Sequence, residues 1–170
     1  MIKLYHYVHC PFCIRVRMVL GLLNLNYDSI VLPYDDENTP IRLTGKKMLP
    51  IIQTEEGDTL NESLDILQLL DRNHQLEIKT FIESQDRSDD IDQLTNTIGK
   101  YLHPLAMPYW IYTPEFNESS RVYFQRKKEL KRGPFSELYK KRKLYHVELL
   151  DLLEELKANL KPFYKSSQLR

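Results

Sequence analysis

In the first 75 residues the hydrophobic period changes repeatedly within short distances, and only alternating strands and helices can bury such a pattern. Ile2 to Tyr7 reads as a strand. Pro11 to Leu23 follows as a helix, with Ile14, Met18 and Leu22 at four-residue spacing and Val16, Val19, Leu20 and Leu23 widening the apolar face. Tyr27 to Leu32 is a second strand. In "NTPIRLTG", Thr39 is the candidate N-cap, Pro40 takes the first helical position and Gly45 lies past the end. "MLPIIQTEEGDTL" holds two short strands turning at Glu56, Gly57 and Asp58, and "SLDILQLLDRN" closes the unit as a helix. The order β-α-β-α-β-β-α predicts a small sheet covered by helices.

From Leu76 onward only the helical period remains. Ile91, Leu94, Ile98, Tyr101, Leu102 and Leu105 form one stripe, which Pro104 and Pro108 are expected to bend or end. Ser119 to Lys131 is a helix stopped by Gly133 and Pro134, and Phe135 to about Asn159 is the last, with Leu138, Tyr145, Leu149, Leu152, Leu153 and Leu156 on one side. The polar segment "DRNHQ" at 71–75 divides the chain into an α/β domain, 1–75, and an all-α domain, 76–170. With 42% hydrophobic and 28% charged residues the chain is not of a disordered or fibrous kind. No run approaches the ~18 apolar residues of a membrane span and no basic leader precedes an apolar run, so a soluble cytoplasmic protein without a membrane partner is expected.

Charge is unevenly spread. Residues 1–75 carry 7 Lys and Arg against 10 Asp and Glu, and the remainder 17 against 14, so that the total is neutral. A neutral total argues against steering toward nucleic acid. The stretch 121–143, with ten basic and two acidic residues among aromatics, leaves open a non-catalytic binding module for nucleic acid or an acidic protein, although clustered charge on helices is ordinarily a solvated face.

The only two cysteines stand three positions apart in "HCPFC", between a predicted strand and a predicted helix. In a reducing compartment such a pair means redox chemistry or metal binding, not a scaffold disulfide. A structural zinc site needs four ligands, and of the histidines only His9 is near, so no metal is expected. Packing as two small hydrophobes explains Cys13 better than Cys10. The redox reading uses every residue. Pro11 suits the first helical turn, which puts Cys10 at the N-cap, where the positive end of the helix favours thiolate over thiol. Cys10 is then the nucleophile. Cys13, one turn on and on the same face, can resolve a mixed disulfide formed at Cys10. Phe12 either offers an apolar ring beside the sulfur or simply packs. His9 either lowers the thiol pKa when protonated or faces solvent. Trp110, Tyr109 and Tyr112 are expected in the helical core or a domain interface.

The ordered blocks "YVHCPFCIRVRMVLGLLN", "DDENTPIRLTGKKMLPII", "NESLDIL" and "RVYFQRKKELKRGPFSEL" resemble the bacterial glutaredoxin 2 family, over about residues 1–160. The resemblance implies a thioredoxin-like domain followed by a helical domain in the plan of glutathione transferases. That helical domain is expected to be shortened at "KPFYKSSQLR", with apolar surface on the last helix left uncovered. The resemblance also implies a cis peptide bond before Pro50, with Leu49 offering its backbone to a bound peptide as strand addition does. A proline opening an edge strand is the plainer reading. It further implies glutathione binding by Pro11, Phe12, Leu49, Pro50, Glu62 and Ser63. Ser63 also has an ordinary task as N-cap, and a helix N-terminus with a hydroxyl binds a carboxylate well. Lys46 or Lys47 could receive the glycine carboxylate.

The function implied is a glutathione-dependent thiol–disulfide oxidoreductase, with glutathione as electron donor, no bound cofactor, and glutathionylated or disulfide-containing proteins as substrates of a monomer. The alternatives are a glutathione transferase or dehydroascorbate reductase on the same plan, or iron–sulfur ligation between two chains through Cys10 and glutathione.

Overall fold

The computed structural model describes residues 1–74 and 89–166; among these, contacts define two compact units, one of residues 1–74 with 112–124, the other of 89–111 with 125–166. The expected boundary at 71–75 and the start at Leu76 run into positions outside the described residues.

The first unit is built as the period changes predict. Strand β1 (Ile2–His6) leads to helix α1 (Pro11–Leu22), then β2 (Tyr27–Val31), α2 (Asn38–Thr44), β3 (Ile51–Gln53), β4 (Thr59–Asn61) and α3 (Ser63–His74). The sheet order is β2-β1-β3-β4, with β1 and β2 parallel and the other two pairs antiparallel. Period two decides the faces. Leu4 pairs with Ile52, and both join Val16 and Leu20 of α1 and Ile66, Leu67 and Leu70 of α3 in one buried cluster. Tyr5 pairs with Ile51 on the opposite face, where Ile51, Leu32, Leu49 and Cys13 form a second cluster. The β3–β4 turn falls where predicted: Thr54 N–H donates to Asp58 O, and Gly57 takes φ 97°, a backbone region L side chains rarely enter.

Local differences from the sequence reading have physical causes. The four-residue stripe Ile14, Met18 and Leu22 is exposed, while α1 buries Cys13, Val16 and Leu20. Because α1 is apolar on more than one side, spacing alone cannot pick its inner face, and the sheet and α3 make that choice. Helix α2 begins at Asn38, so Thr39 lies inside its first turn and is not the N-cap. Asp36 Oδ1 accepts from Thr39 N–H at 2.9 Å, and although burial would raise the Asp36 carboxyl, the bonds from Thr39 and Asn38 outweigh it and hold it below the usual carboxylate range. Gly45 ends the helix in the left-handed conformation, as expected.

Within the second unit, helix α4 (Asp89–Trp110) continues through Pro104 and Pro108, which do not end it. Its Leu94 and Ile98 pack with Leu149, flanked by Tyr101, Leu105, Leu152 and Leu156, while Leu102 and Leu153 stay exposed. The side chain of Ile91 lies outside the described residues. Helix α5 (Glu118–Arg132) starts in the first unit and continues into the second. The expected last helix is two, α6 (Phe135–Lys140) and α7 (Arg142–Ser166), separated at Lys141 without a Gly or Pro to mark the break. Tyr112 is exposed, not in a core, and Tyr109 is half-exposed beside Tyr139. No helix among the described residues is long and apolar enough to cross a membrane.

His6, 2% exposed on β1, shares a 2.7 Å hydrogen bond with Ser29 of the neighbouring strand. Burial above all, and to a lesser degree the Arg17 guanidinium, hold its pKa below the ordinary 6.5. The unfolded chain therefore takes up this proton first as pH falls, so the contribution of neutral His6 is complete above about pH 6.5 and is lost from there down toward the lower folded value. Urea unfolding between pH 7.5 and 5.5 should show a falling midpoint that flattens in His6→Gln; an unchanged slope in the variant would assign the loss to other groups.

Candidate functional site

The end of β1 delivers the chain to Cys10, which occupies the N-cap of α1 in extended conformation (φ −77°, ψ 120°) with Pro11 in the first turn. Its carbonyl accepts the first helical bond, from Ile14 N–H at 2.9 Å, while its side chain makes no capping bond. The sulfur thus lies at the positive end of the helix without being spent on it. Cys10 is partly exposed and Cys13 fully buried, and both are free thiols. Cys13 keeps its proton: its side-chain hydrogen bond to Cys10 comes first, burial second, and both push its thiol well above the ordinary range. One turn of helix therefore holds two unlike sulfurs, an accessible one that accepts a hydrogen bond and a buried one that donates it.

Phe12 is 53% exposed, so its ring does not pack in the core; the Arg15 guanidinium stands 5.6 Å from its centroid. Arg17 donates to Val8 O at 3.4 Å and braces the turn before the dithiol. The Leu49–Pro50 bond is cis, as the resemblance implied; both residues are buried, and Leu49 packs in the cluster that holds Cys13. Glu62 carries φ 73°, a left-handed conformation rare for a residue with a side chain. Its carbonyl accepts from Ile66 N–H, so Glu62, not Ser63, is the residue preceding the first turn of α3. Ser63 is the first helical residue, 4% exposed, and its Oγ accepts from Arg15 Nη1 at 3.1 Å instead of capping.

Sequence reasoning missed a wall of this site. His9 Nε2 shares a 3.2 Å hydrogen bond with Thr113 Oγ1 and stands 2.6 Å from Glu115 Oε1, close enough for a charge contact though not aligned for a hydrogen bond. Tyr7 stacks on Tyr34 at 4.0 Å, Tyr34 stacks on Phe116 at 4.8 Å, and Phe124 meets both Tyr34 and Phe116 edge-on. Burial, then the groups around them, push both phenols up; after burial the largest influence on Tyr34 is Cys10, and on Tyr7 it is Tyr123 followed by Cys13. At neutral pH these phenols stay uncharged and add no negative charge beside the thiols. Lys47, a candidate for a carboxylate, is already engaged with Tyr34 O at 2.9 Å, with Glu37 Oε1 at 3.1 Å and with the Tyr123 hydroxyl, over whose ring it lies. Lys46 is exposed. No signal in the sequence links position 9 to 113, or 34 to 116, because these are contacts between distant residues on unlike elements.

The sheet order, the cis proline and the dithiol at the mouth of α1 define a thioredoxin-fold domain of the kind found in glutathione transferases. Residues 4–77 match the family profile "Glutathione S-transferase, N-terminal domain". Glutaredoxin 2 of Escherichia coli (strain K12) is 35% identical over 139 residues, covering 80% of this chain and 63% of that one. The crystal structure of glutaredoxin 2 from Salmonella typhimurium, in complex with glutathione, superposes with a TM-score of 0.79 at 32% identity, covering 92% of this chain and 71% of that one. A more distant relative, prostaglandin E synthase 2 of Mus musculus, is 26% identical over 128 residues, 72% of this chain and 32% of that one. The chain belongs to the glutaredoxin 2 family. It spans less than two thirds, 63%, of the length of the Escherichia coli relative.

Proposed function

We propose that this chain is a glutathione-dependent thiol–disulfide oxidoreductase in which Cys10 is the nucleophile and Cys13 the resolving thiol. The observation that carries the reading is the pair of unlike sulfurs: Cys10 is partly exposed at the helix mouth, and Cys13, buried, donates a hydrogen bond to it. Such a bond favours the charged form of the acceptor, and the helix end favours it further.

With a glutathionylated protein, the Cys10 thiolate attacks the glutathione-side sulfur and the target leaves as its thiolate. A second glutathione thiolate then attacks the adduct, oxidised glutathione leaves, and Cys10 is restored as thiolate. With a protein disulfide, Cys10 forms a mixed disulfide, Cys13 gives up its proton and attacks the Cys10 sulfur, and the target leaves fully reduced. The internal Cys10–Cys13 disulfide is returned to two thiols by two glutathiones, which leave as one oxidised glutathione. Membership of the glutaredoxin 2 family and the bound glutathione of the Salmonella relative support glutathione as the donor. In that role Leu49 and Pro50 present backbone to the tripeptide, Pro11 and Phe12 flank the sulfur, and Glu62 and Ser63 take the γ-glutamyl end. The chemistry suits a reducing compartment such as the cytoplasm.

Incubation with oxidised glutathione followed by intact-mass measurement tests this directly. The expected product is one glutathione adduct, or a chain lighter by two hydrogens, and neither should form in Cys10→Ser. An unmodified wild-type mass alongside brisk conjugation of glutathione to an electrophile would place the chain with the transferases instead.

A further inference from the structure

We propose that Arg17 is a positioning residue for the resolving step: its guanidinium, tied back to the turn before the dithiol, keeps a positive charge within reach of the buried Cys13 when that thiol must ionise. This deepens the oxidoreductase reading and rests on it. Arg17 follows Cys13 by four positions on α1, which puts the two on one helix face, and a side chain there leans toward the helix N-terminus. Its Nη1 donates to Val8 O at 3.4 Å, two residues before Cys10, so the only partly exposed side chain is held in that direction. From there its charge acts on two buried groups, His6 at the end of β1 and Cys13.

The need for that charge arises after the first attack. In the resting pair the Cys13 proton is kept first by the hydrogen bond to Cys10, then by burial, then by the Cys10 charge, while a hydrogen bond from the Tyr7 backbone and the Arg17 charge favour the thiolate. Once Cys10 is in a mixed disulfide its sulfur is neutral and a poor acceptor, so both contributions of Cys10 fall away. Burial is then left on one side, with Tyr7 and Arg17 on the other. The titratable groups around Cys13 are Cys10 and Arg17 on α1, Tyr7 after β1 and Tyr34 after β2; with both phenols uncharged, Arg17 is the cation among them. Cys13 gives its proton to solvent and its thiolate attacks the Cys10 sulfur. The Cys10–Cys13 bond forms, and the target sulfur leaves with the electron pair of the bond that breaks.

Dithiodipyridine, an uncharged disulfide, separates the two steps. One thiopyridone leaves when Cys10 attacks and a second when Cys13 attacks, so Cys13→Ser should release only the first. Followed by stopped-flow absorbance at neutral pH, Arg17→Gln should slow the second release about 10-fold and the first far less. The deficit should close as pH rises, because the second rate follows the Cys13 thiolate and loss of a cation moves its formation to higher pH. Arg17→Lys, which keeps the charge without the fork, should recover most of the rate. Arg17→Met, of similar length and without charge, carries the test if the glutamine variant does not fold. Equal slowing of both releases, or a second release slowed by the same factor at every pH, would reduce Arg17 to a brace for the turn and overturn the assignment while leaving the oxidoreductase standing. A wild type that releases no thiopyridone would sink the reading beneath it as well.

Discussion

Cys10→Ser should lower turnover of a glutathionylated peptide by at least about three orders of magnitude, the scale of loss when a covalent nucleophile is removed from an otherwise intact site. Cys13→Ser should leave that activity within a few-fold of wild type, because a second glutathione supplies the resolving sulfur, yet should abolish reduction of a protein disulfide. The contrast follows from geometry. Cys10 is the partly exposed sulfur at the head of α1, and Cys13 is wholly buried one turn along. A further contrast separates Cys13's two duties. Serine still donates an O–H to Cys10, whereas alanine donates nothing, so Cys13→Ala should react more slowly than Cys13→Ser with iodoacetamide at neutral pH. Normal turnover in Cys10→Ser, or equal alkylation rates in the two Cys13 variants, would contradict the division of labour assigned here.

Phe124→Ala should be the most damaging single change away from the sulfurs, lowering stability by about 3–5 kcal/mol. Phe124 is 2% exposed and meets Tyr34 and Phe116 edge-on at 4.8 and 5.3 Å, while Tyr34 in turn lies flat against Tyr7. Removing the ring leaves a cavity that two stacked aromatics cannot collapse into without giving up their own contacts. Thermal unfolding followed by near-ultraviolet circular dichroism reads both the loss of stability and the loss of the aromatic stack. Phe124→Leu, which refills part of the volume, should recover a share of it; a variant as stable as wild type would show that the stack is ornament and not support.

Local chemistry made much of this legible in the sequence. The turn at Gly57, the end of α2 at Gly45 and the position of Cys10 at the head of α1 depend on residues within a few positions of one another, and each sits where the sequence reading put it. The inner face of α1 was not legible, since Ile14, Met18 and Leu22 are as apolar as the Val16 and Leu20 that the sheet covers. Nor was the course of α4 through Pro104 and Pro108, where packing of Leu94 and Ile98 on Leu149 outweighs the local penalty of proline. Around the dithiol, the cis bond before Pro50 that the family resemblance implied could also be named in advance. Arg15, Thr113, Glu115 and the Tyr7–Tyr34–Phe116 stack could not, because each acts through a partner on another element.

The residues from Tyr112 to Phe124 that complete the first unit follow α4 of the second unit in sequence. During synthesis the strands and the dithiol helix emerge from the ribosome well before the rings that Tyr34 rests against. The first unit therefore cannot finish folding in the N-to-C order typical of tandem domains. Its thiols wait, in an unfinished fold, until residue 124 has been made.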